Sequence, residues 1–218
     1  MTSAQINPPS LWLIAGPNGS GKSSLYGSHQ SPIFSDTNIA DPAHSFWIIN
    51  PDLLTQRIRD FEHKSLEQAN LEAVQRIEAW LRASIDALQS VGVETVLSTD
   101  KDRSLVLAAK GRGFEIRLVY VILSSPELNI KRVEMRVAKG GHGVKNEKIR
   151  ERWKRSLDQL PWFLDHADRA LLLDNSDELR LVGRKSNGIV ELDPSGPILT
   201  FASGFGQARM RMLESKDH

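Results

Sequence analysis

Short apolar runs recur along the chain, separated by stretches with helical spacing. The runs that predict strands are residues 11–15, 46–49, 93–97, 114–123 and 170–173. Uninterrupted apolar runs are typical of strands covered on both faces. Between them, apolar positions recur every three or four residues, most clearly over residues 65–90, as expected for amphipathic helices. This alternation predicts an α/β fold with a mostly parallel, five-stranded sheet.

The last part of the chain departs from this pattern. Two apolar runs, residues 188–192 and 197–201, flank a turn segment and predict a small C-terminal hairpin, with a short basic helix after it. Residues 27–45 show no period and predict a loop or insertion. We therefore expect one domain over residues 1–185 and a C-terminal extension over residues 186–218.

The composition limits the class of protein. The 218 residues are 40% hydrophobic and carry a net charge of +1, which favours one globular core and gives no sign of a nucleic-acid or membrane surface. The chain has no cysteine, which excludes disulfides, thiolate metal sites and cysteine nucleophiles. No signal peptide is recognisable, and no apolar run approaches the roughly 20 residues that span a bilayer. A cytoplasmic protein is expected.

A glycine-rich segment follows the first predicted strand. Residues 16–23 read Gly-Pro-Asn-Gly-Ser-Gly-Lys-Ser and match the phosphate-binding loop G-x-x-x-x-G-K-[ST]. In such a P-loop, backbone N–H groups cradle phosphates, Lys22 reaches the β- and γ-phosphates, and the Ser23 hydroxyl binds Mg²⁺. An ordinary glycine-rich turn is the alternative, but the strand before and the helix after are the context that the motif needs. The predicted ATP-binding residues are Gly16, Pro17, Asn18, Gly19, Ser20, Gly21, Lys22, Ser23 and Ser24.

The class of P-loop protein depends on other segments. The guanine-reading Asn-Lys-x-Asp of switch GTPases is absent. Residues 171–174 resemble a magnesium-binding strand that ends in Asp174, but this strand comes last, and Asp174-Asn175-Ser176 would serve equally well as a turn. A small kinase needs instead an acceptor-side base and a basic lid.

Two carboxylates fall where an acceptor would bind. Asp52 follows the second strand, at the edge where open α/β sheets bind ligands, and could take the proton of an acceptor hydroxyl. Alternatively it stabilises the dipole of a helix that Asn50 caps and Pro51 begins. Glu94 lies inside the third strand, where a charge is costly unless paired, so it either faces the site or forms a structural ion pair.

A basic segment covers residues 131–155. It holds ten Lys or Arg and three Glu, a net charge of +7, and Gly140-Gly141-His142-Gly143 interrupts it. The layout predicts two helices and a glycine-rich tip that form a lid over phosphates. Arg132 and Arg136 share a helix face, and either could act as an arginine finger. For most of the other basic residues, a solvated helix face is the better interpretation.

Together these segments resemble the zeta-toxin family of P-loop kinases, and most closely its short bacterial members, often described as predicted ABC-type ATPases. The resemblance covers roughly residues 10–180 and implies a three-layer P-loop NTPase sandwich with a helical lid. The matching segments are residues 15–23, 50–52, 94–95, 132 with 136, 140–144, 149–157 and 174–176.

The resemblance implies an activity: zeta toxins use ATP and Mg²⁺ to phosphorylate the 3′-hydroxyl of UDP-N-acetylglucosamine, which starves cell-wall synthesis. It also implies an antitoxin partner that blocks the nucleotide site. Carried over by position, the resemblance implies that Lys22 and Ser23 hold the triphosphate and metal and that Asp52 is the base. It also implies that Arg132 and a second lid residue, either Arg136 or Arg152, stabilise the transferred phosphate, so that the implied catalytic residues are Asp52, Lys22, Arg132 and Arg136. The implied substrate-binding residues are Asn50, Asp52, Glu94, Thr95, His142 and Arg152.

The chain also departs from the family pattern. Lys145 stands where the short relatives usually carry Pro, and the tail after about residue 185 has no counterpart. A kinase for another small metabolite, or a regulatory ATP-binding module, is therefore left open.

Overall fold

The computed structural model describes residues 8–27, 47–141, 143–193, 195 and 210–212. Most of the predicted loop at 27–45, and the second run of the predicted hairpin at 197–201, lie outside these residues. The strands are β1 Ser10–Ala15, β2 Ile48–Ile49, β3 Val91–Thr95, β4 Glu115–Ile122, β5 Arg169–Asp174, β6 Arg180–Ser186, β7 Ile189–Leu192 and β8 Met210–Met212. The helices are α1 Lys22–Gly27, α2 Pro51–Glu62, α3 Leu66–Asp86, α4 Lys101–Gly111, α5 Pro126–Ala138 and α6 Asn146–His166.

The strands form one sheet in the order β2-β3-β1-β4-β5-β6-β7-β8, and the first five are parallel. The predicted α/β class and the five parallel strands are confirmed. β1 lies between β3 and β4, and its five apolar residues, Leu11 to Ala15, are at most 1% exposed. The third strand begins two residues earlier than predicted, because Gly92 pairs within the sheet and the preceding helix already ends at Asp86.

The C-terminal part differs from the prediction. Residues 180–186 form β6, which the sequence analysis missed, and β7 pairs with β6 in an antiparallel hairpin. Residues 210–212 form a strand parallel to β7, where a short basic helix was expected. β6 mixes exposed charged positions with apolar ones, so it has no continuous apolar run to mark it as a strand. Over the described residues the sheet therefore has eight strands, whereas a five-stranded sheet and a small C-terminal hairpin were predicted. The domain division at residue 185 stays a prediction.

Local signals in the sequence explain where the helices near the site begin and end. The Asn50 side chain accepts the backbone N–H of Leu53 at 3.2 Å and so caps α2, as predicted. Helix α5 ends where Gly140 adopts a φ of +86° and the N–H of Gly141 reaches the carbonyl of Arg136. This is a glycine-dependent helix stop, and it starts the tip between the two lid helices. Across the described ranges, no helix has the length and apolar character needed to cross a membrane.

A buried hydrogen-bond chain joins the sheet to helix α6. The Ser156 hydroxyl donates to the carbonyl of Val96 at 2.7 Å, and Tyr120 Oη lies 2.9 Å from the same hydroxyl. Tyr120 and Ser156 are both 0% exposed, and burial raises the pKa of Tyr120. Since the serine proton goes to Val96, the tyrosine donates to Ser156. The chain fixes α6 against the segment that follows β3.

This chain gives a stability prediction with two unequal substitutions. Tyr120→Phe removes one donor and should lower the free energy of unfolding by about 1 kcal/mol. Ser156→Ala leaves the tyrosine hydroxyl and the Val96 carbonyl without this partner in the core, so its cost should be larger, about 2–4 kcal/mol. Urea unfolding measures both, with exposed Ser104→Ala as the control. Equal losses for the two variants would contradict the proposed direction of the chain.

Candidate active site

A cavity of about 590 Å³ opens at the carboxyl ends of the central strands, between the P-loop, the start of α2 and the two lid helices. The cavity is within the size range of small-molecule sites. Of the residues predicted from sequence, those that line it are Asn18, Gly19, Gly21, Lys22, Ser23, Ser24, Asn50, Asp52, Glu94, Thr95, Arg132, Arg136 and Arg152. Gly16, Pro17 and Ser20 belong to the same loop without lining the cavity, and His142 lies outside the described residues.

The P-loop backbone requires its glycines. Gly16 has a φ of +138° and Gly21 a φ of +97°, conformations that side chains rarely adopt. A Cβ at Gly16 would collide with the carbonyl oxygen of Val121, and one at Gly21 would collide with the side-chain amide of Asn175. These contacts are local packing reasons for the glycines, in addition to any phosphate that the loop binds.

Lys22 is buried at the base of the loop, with 5% of its side chain exposed. Its ammonium donates to the carbonyls of Gly16 at 2.8 Å and Pro17 at 3.0 Å and lies 3.9 Å from Glu94 Oε1. Burial lowers the pKa of Lys22, and the carboxylates of Glu94 and Asp52 act in the opposite direction. The cation is thus held at the sheet edge by oxygen atoms, and Lys22 contributes to the cavity wall.

Two asparagines that the sequence analysis did not assign to the site hold the loop from outside. Asn129 in α5 is 0% exposed and donates from Nδ2 to the Asn18 carbonyl at 2.6 Å. Asn175, after β5, donates from Nδ2 to the Ser20 carbonyl at 2.8 Å. The available signal was Asn129 itself, a polar residue on the apolar face that carries Ile130 and Val133.

Ser23, Asn50 and Glu94 form a hydrogen-bonded cluster at the cavity wall. The Ser23 hydroxyl donates to Glu94 Oε2 at 2.8 Å, and Asn50 Nδ2 donates to the same carboxylate oxygen at 2.9 Å. Asn50 Nδ2 also lies 3.3 Å from Ser23 Oγ. The two alternatives for Glu94 are therefore both met: it is paired, and it faces the cavity.

Two further residues of the predicted acceptor side, Asp52 and Thr95, differ in their surroundings. Asp52 lies in the first turn of α2, 67% of its side chain is exposed, and its Oδ2 is 4.0 Å from Arg136 Nη1. Thr95 is mostly buried and donates its hydroxyl proton to Asp102 Oδ2 at 2.8 Å. Burial raises the pKa of Asp102. Asp52 is thus an accessible carboxylate, whereas the Thr95 hydroxyl is bonded within the protein.

The segment predicted as a lid forms helices α5 and α6, and its cations divide into two groups. Arg132 donates to the Ser176 carbonyl at 3.0 Å, Arg152 approaches Asn18 Oδ1 at 3.4 Å, and Arg136 lies beside Asp52. These three arginines line the cavity. Others pair on the outer surface, as Arg150 does with Glu127 at 3.2 Å.

Asp174 is bonded within the turn that follows β5, as in the turn interpretation of residues 174–176. It is 4% exposed and accepts hydrogen bonds from the backbone and hydroxyl of Ser176, and Arg180 pairs with it at 3.0 Å. Among the described residues, no group of three or more His, Asp or Glu could hold a metal ion. Mg²⁺ needs no such group, since it is commonly held by one or two protein oxygens with phosphates and water. The Ser23 hydroxyl on the cavity wall fits that requirement.

Comparisons with known proteins agree with this architecture. The family model described as Zeta toxin matches residues 2–181. A Haemophilus influenzae relative, described as an uncharacterized protein, is 25% identical over 150 residues, or 66% of this chain and 96% of that protein.

Three solved structures share the fold at low sequence identity. A chain of the PezAT chromosomal toxin–antitoxin system of Streptococcus pneumoniae matches with a TM-score of 0.56 and 15% identity, over 82% of this chain and 73% of that one. A chain of the AvrRxo1-ORF1:-ORF2 complex with ATP matches with a TM-score of 0.65 and 17% identity, over 85% of this chain and 60% of that one. A putative kinase from Chloroflexus aurantiacus matches with a TM-score of 0.51 and 16% identity, over 67% of this chain and 78% of that one.

The loop contact of Asn129 gives a testable prediction. Asn129→Ala removes the donor to the buried Asn18 carbonyl, so we expect the free energy of unfolding to fall by about 1–3 kcal/mol. ATP affinity, measured by calorimetry, should fall as well, because the loop loses its support. The matched control is Asn146→Ala, which removes an exposed contact of the lid with Glu134 and should change neither quantity. Unchanged ATP binding in Asn129→Ala would show that Asn129 serves stability alone.

Proposed function

The chain belongs to the zeta toxin family, and from that premise we propose that it is a kinase that transfers the γ-phosphate of ATP to a hydroxyl of a small molecule. One observation carries the proposal. A single cavity gathers the P-loop lysine, an accessible carboxylate and three lid arginines. A pure ATP-binding switch has no need of an acceptor base, so Asp52 favours the kinase over the regulatory module.

The P-loop residues bind and orient the nucleotide in this proposal. Gly16, Gly19 and Gly21 keep side chains away from the phosphates, and Lys22 directs its ammonium to the β- and γ-phosphates. Ser23 would hold Mg²⁺, which when bound neutralises charge on the β- and γ-phosphate oxygens.

Asp52 acts as the general base. The acceptor oxygen forms a bond to the γ-phosphorus, the bond from that phosphorus to the bridging oxygen breaks, and ADP leaves. The hydroxyl proton passes to the Asp52 carboxylate. Because Asp52 is exposed in the cavity and lies in the first turn of a capped helix, it combines access to an acceptor with a fixed position.

The lid arginines stabilise the charge of the transferred phosphate. Arg132 and Arg136 come from one face of α5, and Arg152 comes from α6, so the charge is approached from two helices. Arg136 also forms an ion pair with Asp52, so helix α5 of the lid contacts the proposed base directly.

For the acceptor we propose the 3′-hydroxyl of UDP-N-acetylglucosamine, on the strength of the family. Asn50, Thr95 and Arg152 line the cavity on the proposed acceptor side, and Ser98, Thr99 and Lys101 add hydroxyls and a cation, which suits a polar, anionic ligand. We also propose a protein partner of the antitoxin kind, since the similar PezAT structure is a toxin–antitoxin system. Other phosphorylatable metabolites form the alternative acceptor class.

Phosphotransfer from γ-labelled ATP to UDP-N-acetylglucosamine tests the proposal. Wild type should yield a labelled nucleotide sugar, and Asp52→Asn should lower kcat by about 10²–10⁴-fold with ATP binding largely intact, as expected for loss of a general base. Asp60→Asn, an exposed carboxylate on the same helix, is the control and should behave as wild type.

Each contrary result has a separate meaning. Label on another metabolite would keep the kinase and replace the acceptor. Full activity in Asp52→Asn, together with a lower melting temperature, would favour the helix-dipole role for Asp52. ATP turnover stimulated only by a protein partner would favour the regulatory module.

The lid arginines give a second prediction. Arg132→Ala should lower kcat by about 10³-fold, the lower range for an arginine that stabilises a transferred phosphoryl group. Arg150→Ala removes an equal charge from the same lid, but from its outer surface, and should stay within about twofold of wild type. Single-turnover rates with saturating ATP measure both. Similar losses in the two variants would indicate a general effect of lid charge.

A further inference from the structure

The contacts of Glu94 connect it to the P-loop. Its Oε2 accepts the Ser23 hydroxyl at 2.8 Å, and its Oε1 lies 3.9 Å from the Lys22 ammonium. Only 13% of the side chain is exposed. The family resemblance assigns Glu94 to the acceptor, whereas these contacts place its carboxylate beside the two side chains that the proposed function assigns to metal and phosphates.

The sheet explains this position. β3 pairs directly with β1, and the register sets Glu94 opposite Ile14, two residues before the P-loop begins. The carboxyl ends of both strands therefore lie at the same edge of the sheet. The side chain of Glu94, near the end of β3, reaches the first residues of α1. Asp52 faces Arg136 instead, and Asp174 is bonded to Ser176 and Arg180.

The hydrogen-bond direction also favours a cation at this point. The Ser23 hydroxyl donates its one proton to Glu94 and accepts Asn50 Nδ2 at 3.3 Å, which leaves one lone pair of its oxygen for a metal. Carboxylate and hydroxyl oxygens are the hard ligands that Mg²⁺ prefers. Asn50 donates to the same carboxylate oxygen and orients it.

We propose that Glu94 is a magnesium-site carboxylate that acts with the Ser23 hydroxyl, directly or through the ion's water, and not a residue that binds the acceptor. The inference rests on the proposed function only in that Mg·ATP is the ligand; it requires no particular acceptor and no catalytic turnover.

The charge of Glu94 should affect ATP affinity in opposite directions with and without Mg²⁺. Without Mg²⁺, the carboxylate beside Lys22 repels the triphosphate, so Glu94→Gln should bind ATP as tightly as wild type or more tightly. With Mg²⁺, the carboxylate attracts the ion, so its loss should weaken the site. A residue that binds the acceptor would produce neither effect.

Calorimetric titration of ATP, first in excess EDTA and then over a series of Mg²⁺ concentrations, tests the assignment. In Glu94→Gln, the Mg²⁺ concentration that gives half of the metal-dependent gain in ATP affinity should rise about 10–100-fold, the usual effect of losing a residue that supports a metal. Asp52→Asn removes another carboxylate from the same cavity and should keep the wild-type Mg²⁺ dependence. Glu94→Asp keeps the charge on a shorter arm and should give a smaller rise.

A wild-type Mg²⁺ dependence in both Glu94 variants would overturn the proposal, and so would ATP binding by wild type that does not respond to Mg²⁺. Equal weakening of ATP binding with and without Mg²⁺ would also contradict it, because this result indicates a damaged loop. Thermal melting of each variant verifies folding, and Glu94→Asp carries the test if Glu94→Gln is unstable. Failure of wild type to phosphorylate any acceptor would reject the kinase and leave this binding result standing.

Discussion

The parallel pairing of β1 with β3 on one side and β4 on the other is the constraint on which the site depends. It buries β1 completely, so the chain must leave the sheet at Gly16, in a space bounded by the carbonyl of Val121 on β4. The same pairing brings Glu94 of β3 to the first turn of α1. The loop, its lysine and the carboxylate therefore take their positions from the main-chain hydrogen bonds of the sheet.

The P-loop also has to satisfy its own polar groups, since Gly16, Pro17 and Ser20 are buried and their carbonyls are shielded from water. The carbonyls of Gly16 and Pro17 accept from Lys22, that of Asn18 accepts from Asn129, and that of Ser20 accepts from Asn175. The two asparagines thus hold the loop by binding its carbonyls, and Asn129 ties it to helix α5.

Much of this arrangement could be predicted from sequence because it depends on local signals. The apolar run of β1, the cap at Asn50 and the basic segment split by glycines each lie within a few residues of what they determine. Long-range partners could not be predicted in this way. Nothing near Asn129 indicates that its amide reaches a loop 111 residues away, and nothing near Thr95 indicates that Asp102 accepts its proton. β6 was missed for a related reason. Its exposed charged residues interrupt the apolar pattern that would indicate a strand, and its pairing with β5 is a long-range contact.

In the two lid helices, an apolar contact determines which of the many cationic side chains face the cavity. Ten cations lie between residues 131 and 155, and composition alone cannot tell which of them face the cavity. Ile130 and Val133 of α5 pack with Ile149 of α6 in one buried cluster, which fixes the rotation of both helices. On α5, positions 132 and 136 are one turn apart on the side beside this seam, so they turn to the cavity together. With Lys22 and Arg152 they outnumber the carboxylates of Asp52 and Glu94, which leaves an excess of positive charge. That excess suits a triphosphate, and it depends on three aliphatic side chains that carry no charge at all.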